Sequence, residues 1–171
     1  DAVATGGLHP VVGHGAVGKT TLADLMLFKA GIGSRAGSVD DGTSVLDTDD
    51  DEKERKHSIA SALAHFEHGG RQINVLDTPG YPDCIGQAIG ALRAAETAVI
   101  TVSAGAGIEV NTRKVFEHAG KAGVGRMILI NKCDMENINF EEVVGSLQET
   151  FGQACVPLNV PVGQGQDFKG V

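Results

Sequence analysis

Apolar residues in this chain fall into short runs separated by Gly-rich loops, and the runs alternate with segments of helical spacing. Leu8–Val12 is an apolar run ending at Gly13, which predicts a strand. Thr20–Lys29 carries Leu22, Leu25, Met26 and Lys29 at helical spacing, and Gly31 just beyond reads as its stop. Ile59–Phe66 and Ile73–Leu76 read as strands joined by a hairpin turn at Gly69-Gly70. Asp83 is placed to cap a helix with Ile85, Ala88, Ile89 and Leu92 on one face. Ala98–Val102 and Met127–Ile130 are predicted as buried strands, with a helix over Asn111–Ala119 between them. Asn139 and Glu142 form a capping-box pattern ahead of Val143, Val144, Leu147 and Phe151. Strands alternating with helices predict an α/β fold, a parallel sheet covered on both faces.

Two segments depart from this pattern. His9-Pro10 interrupts the first apolar run, and Pro10 lacks a ladder donor, so that strand is expected to be short or locally unpaired. Ser38–His57 holds Asp40, Asp41, Asp47, Asp49, Asp50, Asp51, Glu52 and Glu54 and almost nothing apolar. Its composition predicts a solvated, mobile loop, either inert or a switch that orders around a ligand.

Bulk properties narrow the function. The 171 residues suit one domain, and 42% are hydrophobic, enough for a core. A net charge of −8 argues against non-specific binding to nucleic acid or an anionic membrane. No eighteen-residue apolar run predicts a membrane span, and Asp1–Gly7 lacks the pattern of a secretory signal. Cys84, Cys133 and Cys155 form no C-x-x-C pair, and read as reduced, mostly buried thiols of a cytosolic protein. His65, His68 and His118 read as surface or strand-end residues.

Three motifs carry chemistry. Gly13-His14-Gly15-Ala16-Val17-Gly18-Lys19-Thr20 fits G-x-x-x-x-G-K-[ST] between a predicted strand and helix. Small residues let backbone N–H groups cradle phosphate oxygens, Lys19 sets a charge at the β- and γ-phosphates, and the Thr20 hydroxyl ligates Mg²⁺. Thr21, next in the helix, joins the nucleotide-contacting set. Asp77-Thr78-Pro79-Gly80 ends a strand, where Asp77 can hold Mg²⁺ and the Gly80 N–H can approach a γ-phosphate. Asn131-Lys132-Cys133-Asp134 follows another strand. A carboxylate at Asp134 accepts two hydrogen bonds from guanine that adenine does not offer, Asn131 ties this loop to the phosphate loop, and Lys132 lies along the base. Together the motifs predict a GTP/GDP site with Mg²⁺.

The stretches GHGAVGKTTLADLMLF, GSVDDGTSVLD, ERKHSIASA, INVLDTPGYPD, AVITVSAGAGIEVNT and ILINKCD resemble the GTP-binding domain of translational GTPases, more narrowly elongation factor G and its elongation-factor-G-like paralogues. The resemblance covers nearly the whole chain. It implies a P-loop NTPase fold, a doubly wound and mostly parallel sheet with one antiparallel strand. It implies hydrolysis of GTP during translation, slow without the ribosome, in the cytoplasm. The family's E-R-G-I-T-I falls on Glu54-Arg55-Lys56-His57-Ser58-Ile59, which puts Ser58 where the family has a Mg²⁺-ligating Thr. The catalytic set carried over is Lys19, Gly80 and Tyr81. Tyr81 departs from the family, which has a water-positioning His there; a phenol with a pKa of about 10 is a poor base at neutral pH.

The family's last base-contacting Ser-Ala turn should follow N-K-x-D, yet Ser61-Ala62 and Ser103-Ala104 precede it. The expected organisation is therefore a GTP-binding domain over 1–155 without its final strand, helix and base-contacting loop, then the start of an insertion subdomain over 156–171, in a monomeric piece of a larger factor. Alternatives remain open: a GTP-binding switch with hydrolysis degraded by Tyr81, a ribosomal-protection or release-factor GTPase, or an ATP-dependent kinase or ATPase, which the N-K-C-D loop disfavours. Expected partners are GTP and, through the larger protein, the ribosome, with no membrane and no sequence-specific DNA.

Overall fold

The computed structural model describes residues 4–171. Five strands, β1 (Ala4–Gly13), β2 (Ala62–His68), β3 (Arg71–Asp77), β4 (Thr97–Ser103) and β5 (Gly125–Asn131), form one sheet in the order β2-β3-β1-β4-β5. β2 runs antiparallel to β3, and every other pair is parallel. The helices are α1 (Lys19–Lys29), α2 (Asp50–Arg55), α3 (Ile85–Leu92), α4 (Val110–Lys121) and α5 (Phe140–Phe151). This is the predicted α/β sheet with its single antiparallel strand.

Alternation along the central strands divides the core between two faces, because successive side chains point opposite ways. Val11, Val75 and Val99 pack with Ala23 and Leu27 of α1. Val12, Ala98 and Ile100 pack with Leu92 of α3 and Val115 and Ala119 of α4. α5 joins through Phe151, stacked on Phe116 with ring centroids 4.0 Å apart. Consequently the ends of β1, β3 and β5 deliver all three motif loops to one edge of the sheet, outside the carboxyl ends of the parallel strands, where such folds bind ligands.

Several details differ from the expectations. β1 is ten residues long rather than short, but it is locally unpaired, the other alternative expected for Pro10. Pro10 is accommodated because pairing to β4 begins only at Val11, while the β3 side carries pairing from Leu8 after a register shift. The inward face of α1 is Thr20, Ala23, Asp24 and Leu27, with Met26 packed beside the core and Leu25 exposed, since the first turn of α1 faces the site. β2 begins at Ala62, because the Ile59 and Ala60 N–H groups donate to the Glu52 carboxylate instead of a ladder. Asp83 lies inside a 3₁₀ turn, Pro82–Cys84, and α3 begins without a side-chain cap. β5 is an edge strand with Met127 exposed, not a buried one. Asn139 accepts from the Glu142 N–H at 3.4 Å, but Glu142 answers the Asn139 side chain rather than its backbone. Of the three thiols only Cys133 is buried.

The largest correction concerns the acidic segment. It has an apolar anchor: Leu46 packs into the α1 face of the core. Ser44, Asp47 and Glu52 are buried, and Asp49 and Glu52 cap α2 reciprocally. Composition missed this because one leucine and three bonded polar groups hold the segment. Burial raises the Glu52 carboxyl, yet the N–H groups of Ala60, Ile59, Asp49 and Thr48 outweigh it and hold the group below its ordinary value.

Candidate functional site

Gly13 closes β1 and turns the chain over the sheet edge. A Cβ there would collide with the Thr101 carbonyl, and φ is +149°. The loop Gly13–Gly18 then wraps toward α1, whose first residues, Lys19 and Thr20, are buried. Gly18 has a φ of +91°, and a Cβ on it would stand 2.5 Å from the Asn131 amide nitrogen. Only glycine permits that approach. Asn131 Nδ2 donates to the Val17 carbonyl at 2.9 Å, and Lys132 Nζ to the Ala16 carbonyl at 2.7 Å. The N-K-C-D loop and the phosphate-type loop are thus tied by two direct bonds. Cys133 fills the turn from inside, and Asp134 is exposed beyond it.

Lys19 Nζ donates to the His14 carbonyl at 2.6 Å. Burial lowers the ammonium from 10.5 to about 8, with Asp77 and Glu109 pulling the other way. A polyanion in the loop would offset that desolvation. Gly80 meets the same lysine; a Cβ on it would collide with Lys19 Nζ and the His14 carbonyl. A cavity of about 270 Å³ opens here, walled by Gly15, Gly18, Lys19, Gly80, Tyr81 and Lys132, among others. Thr21 lines it from the exposed side of α1.

Beside it lies a chain of four oxygens. Thr20 Oγ1 donates to Asp77 Oδ2 at 2.6 Å, Ser58 Oγ donates to Asp47 Oδ1 at 2.6 Å, and the two hydroxyls stand 3.0 Å apart. Each hydroxyl owns one hydrogen. With both carboxylates ionised, both hydrogens are committed, so the Thr20–Ser58 contact joins lone pair to lone pair. The second Asp77 oxygen, Oδ1, is buried with no hydrogen-bond partner among the described residues. Hard oxygen donors converging with spare lone pairs fit a magnesium ion. The alternative is a shared proton, and burial accordingly raises Asp77 from 3.8 to about 6 despite Thr20 and Lys19. Asp47 is raised too, first by burial. No cluster of three His, Cys, Asp or Glu side chains suited to a metal occurs among the described residues, so the hydroxyls are needed.

The structure therefore brings together the predicted residues Gly13–Thr21, Ser58, Asp77, Gly80 and Tyr81, and hangs Asn131, Lys132 and Asp134 beside them. Sequence reading missed four contributors. Asp47 holds Ser58; its one signal was the apolar Leu46 before it. Asn111 donates to the Gly80 carbonyl at 2.7 Å, and Glu109 lies 3.4 Å from His14 Nε2, so the start of α4 supports both loops. His57 stacks against Tyr81. Contacts of that kind, distant in sequence, leave no pattern along the chain.

Residues 9–170 match the family described as Elongation factor Tu GTP binding domain. An elongation factor G-like protein of Mycobacterium tuberculosis is 36% identical over 162 residues, which is 94% of this chain and 23% of that protein. Peptide chain release factor 3 of Lactococcus lactis is 33% identical over 165 residues, 94% of this chain and 32% of its own length. A crystal structure of a Thermus thermophilus protein superposes with a TM-score of 0.89 at 32% identity, covering 95% of this chain and 24% of that one. The chain thus spans about a quarter to a third of the length of these relatives. With the sheet order, the three loops at one sheet edge and a match across residues 9–170, the chain belongs to the elongation factor Tu GTP-binding domain family.

Proposed function

We propose that this chain binds GTP with Mg²⁺ and hydrolyses it to GDP and phosphate, as the GTPase domain of an elongation-factor-G-like ribosomal factor. The observation that carries the reading is the convergence of Lys19, Thr20, Ser58 and Asp77 at the loop to which Asn131 and Lys132 are bonded. Gly13, His14, Gly15, Ala16, Val17 and Gly18 would cradle the phosphates through backbone N–H groups, with Thr21 at the rim. Lys19 would neutralise the β- and γ-phosphates. Thr20, Ser58 and Asp77 would hold Mg²⁺, which supplies charge neutralisation on the phosphates when bound. Gly80 would offer its N–H to the γ-phosphate, braced by Asn111. Asp134 would read the guanine edge and Lys132 would cover the base.

Residues 1–155 would form the nucleotide-binding unit and 156–171 the start of an insertion subdomain. In support, the only helical element in 156–171 is a 3₁₀ turn, Gly165–Asp167, and the Gly165 N–H donates to the Cys133 carbonyl at 3.0 Å. Through the larger factor the chain would act on the cytoplasmic ribosome; no helix among the described residues is long and apolar enough to cross a membrane. The similarity to release factor 3 keeps a termination role as a second reading.

The test is displacement of a fluorescent GDP analogue, followed by turnover with and without ribosomes. GTP should displace the probe at least about a thousandfold better than ATP, on the scale of a base-reading polar site. Equal displacement by ATP would overturn the guanine reading. No stimulation of the larger protein by ribosomes would overturn the translational one.

A further inference from the structure

Two rings from distant parts of the chain meet at the mouth of the cavity. His57 ends the acidic segment, one residue before Ser58, and Tyr81 follows Gly80. Their centroids lie 4.4 Å apart with planes inclined by 48°. Both line the cavity that contains Lys19 and Gly80. Tyr81 also lies against the phosphate-type loop, since a Cβ on Gly15 would stand 3.1 Å from the ring. The phenol is thus in contact with both Gly15 and His57.

The His57 ring has a defined polarity. Its Nδ1 lies 3.0 Å from the Arg55 carbonyl. A carbonyl only accepts, so Nδ1 carries the hydrogen, and in the neutral ring Nε2 is a bare acceptor. That is the tautomer needed to take a hydrogen bond from water. A phenol is a weaker acceptor, and it needs a partner for its own hydrogen.

We propose that His57 is a further catalytic residue of this GTPase, whose Nε2 accepts a hydrogen bond from the attacking water, with Tyr81 as the positioning residue that holds the imidazole beside Lys19 and Gly80. The inference rests on the GTPase reading above. In the reaction the water oxygen bonds to the γ-phosphorus as the bond to the β,γ-bridging oxygen breaks, and that electron pair leaves on GDP. The water's proton ends on the released phosphate. His57 neither gains nor loses a proton overall; it orients the water lone pair, which phosphoryl transfer rewards.

The test joins a spectroscopic and a kinetic arm on the 171-residue chain. Imidazole nitrogen NMR, with His57 identified by its loss in His57→Gln, should show hydrogen on Nδ1. The Nε2 shift should change when GDP is replaced by a non-hydrolysable GTP analogue with Mg²⁺. Hydrogen on Nε2 of the neutral ring, or a shift blind to that exchange, overturns the proposal whatever the turnover. In single-turnover hydrolysis His57→Phe, which keeps the ring and loses the acceptor, should fall about tenfold or more with GDP affinity unchanged. His57→Gln, which restores an acceptor, should recover part of the rate. The emission of Tyr81, the only tyrosine in a chain without tryptophan, should persist in His57→Phe as a check on the stack. A wild-type rate in His57→Phe, or an equal loss of GDP affinity, defeats the catalytic role. If the wild-type chain binds no guanine nucleotide, the GTPase reading itself fails and takes this inference with it.

Discussion

Asp77→Asn should stabilise the nucleotide-free protein near neutral pH and lose that advantage in acid. Asp77 is 2% exposed, and burial pushes its carboxyl from 3.8 to about 6, against the Thr20 hydrogen bond and the charge on Lys19. A folded-state value above the unfolded one means that the folded protein holds the proton more tightly. The cost of the carboxylate is therefore absent below pH 3.8, grows as pH rises, and is complete above about pH 6. A gap of about two pH units, at about 1.4 kcal/mol each, comes to about 3 kcal/mol. Asparagine keeps the shape and can donate to Thr20 Oγ1, which frees the Thr20 hydrogen for Ser58 and removes the lone-pair contact. The assay is urea unfolding of wild type and variant with a chelator, at about pH 4 and about pH 7. The quantity read is the change in their stability difference between the two pH values, in which constant packing effects cancel. A difference independent of pH, or one that moves against the variant as pH rises, would refute the reasoning. With Mg²⁺ and GTP the order should reverse, because the wild type alone keeps the anionic oxygens.

Other substitutions test the remaining parts of the site. Lys19→Ala should weaken nucleotide binding by several kcal/mol, the scale for leaving phosphate charge unpaired; titration showing unchanged affinity would remove the loop from the phosphate site. Asp134→Asn should lower GTP affinity and favour xanthosine triphosphate, because the amide donates where guanine also donates; a preserved GTP preference would take Asp134 out of the base site. Gly18→Ala combines a φ of +91° with a Cβ 2.5 Å from Asn131 Nδ2. It should cost about 1–3 kcal/mol of stability and loosen nucleotide binding, and a melting temperature equal to wild type would show that the two loops are not held that close.

Fold class and the location of the three loops were legible along the chain. Apolar runs of strand length, alternating with helical spacing, leave a covered mainly parallel sheet as the packing solution. Glycines at Gly13 and Gly18 marked the phosphate-type loop because local backbone geometry needs them, and such needs are written locally. What lies between distant segments was settled only by folding. Ser38–His57 reads as a solvated acidic loop until Leu46 reaches the core and Glu52 takes the N–H groups of Ile59 and Ala60. The inward face of α1 changed because its first turn serves the site. Pro10 was tolerated because pairing on its β4 side starts one residue later. The contacts of Asp47 with Ser58, Asn111 with Gly80 and His57 with Tyr81 join residues 11, 31 and 24 positions apart. Such pairs depend on where the folded chain sets its loops, which neither periodicity nor composition encodes.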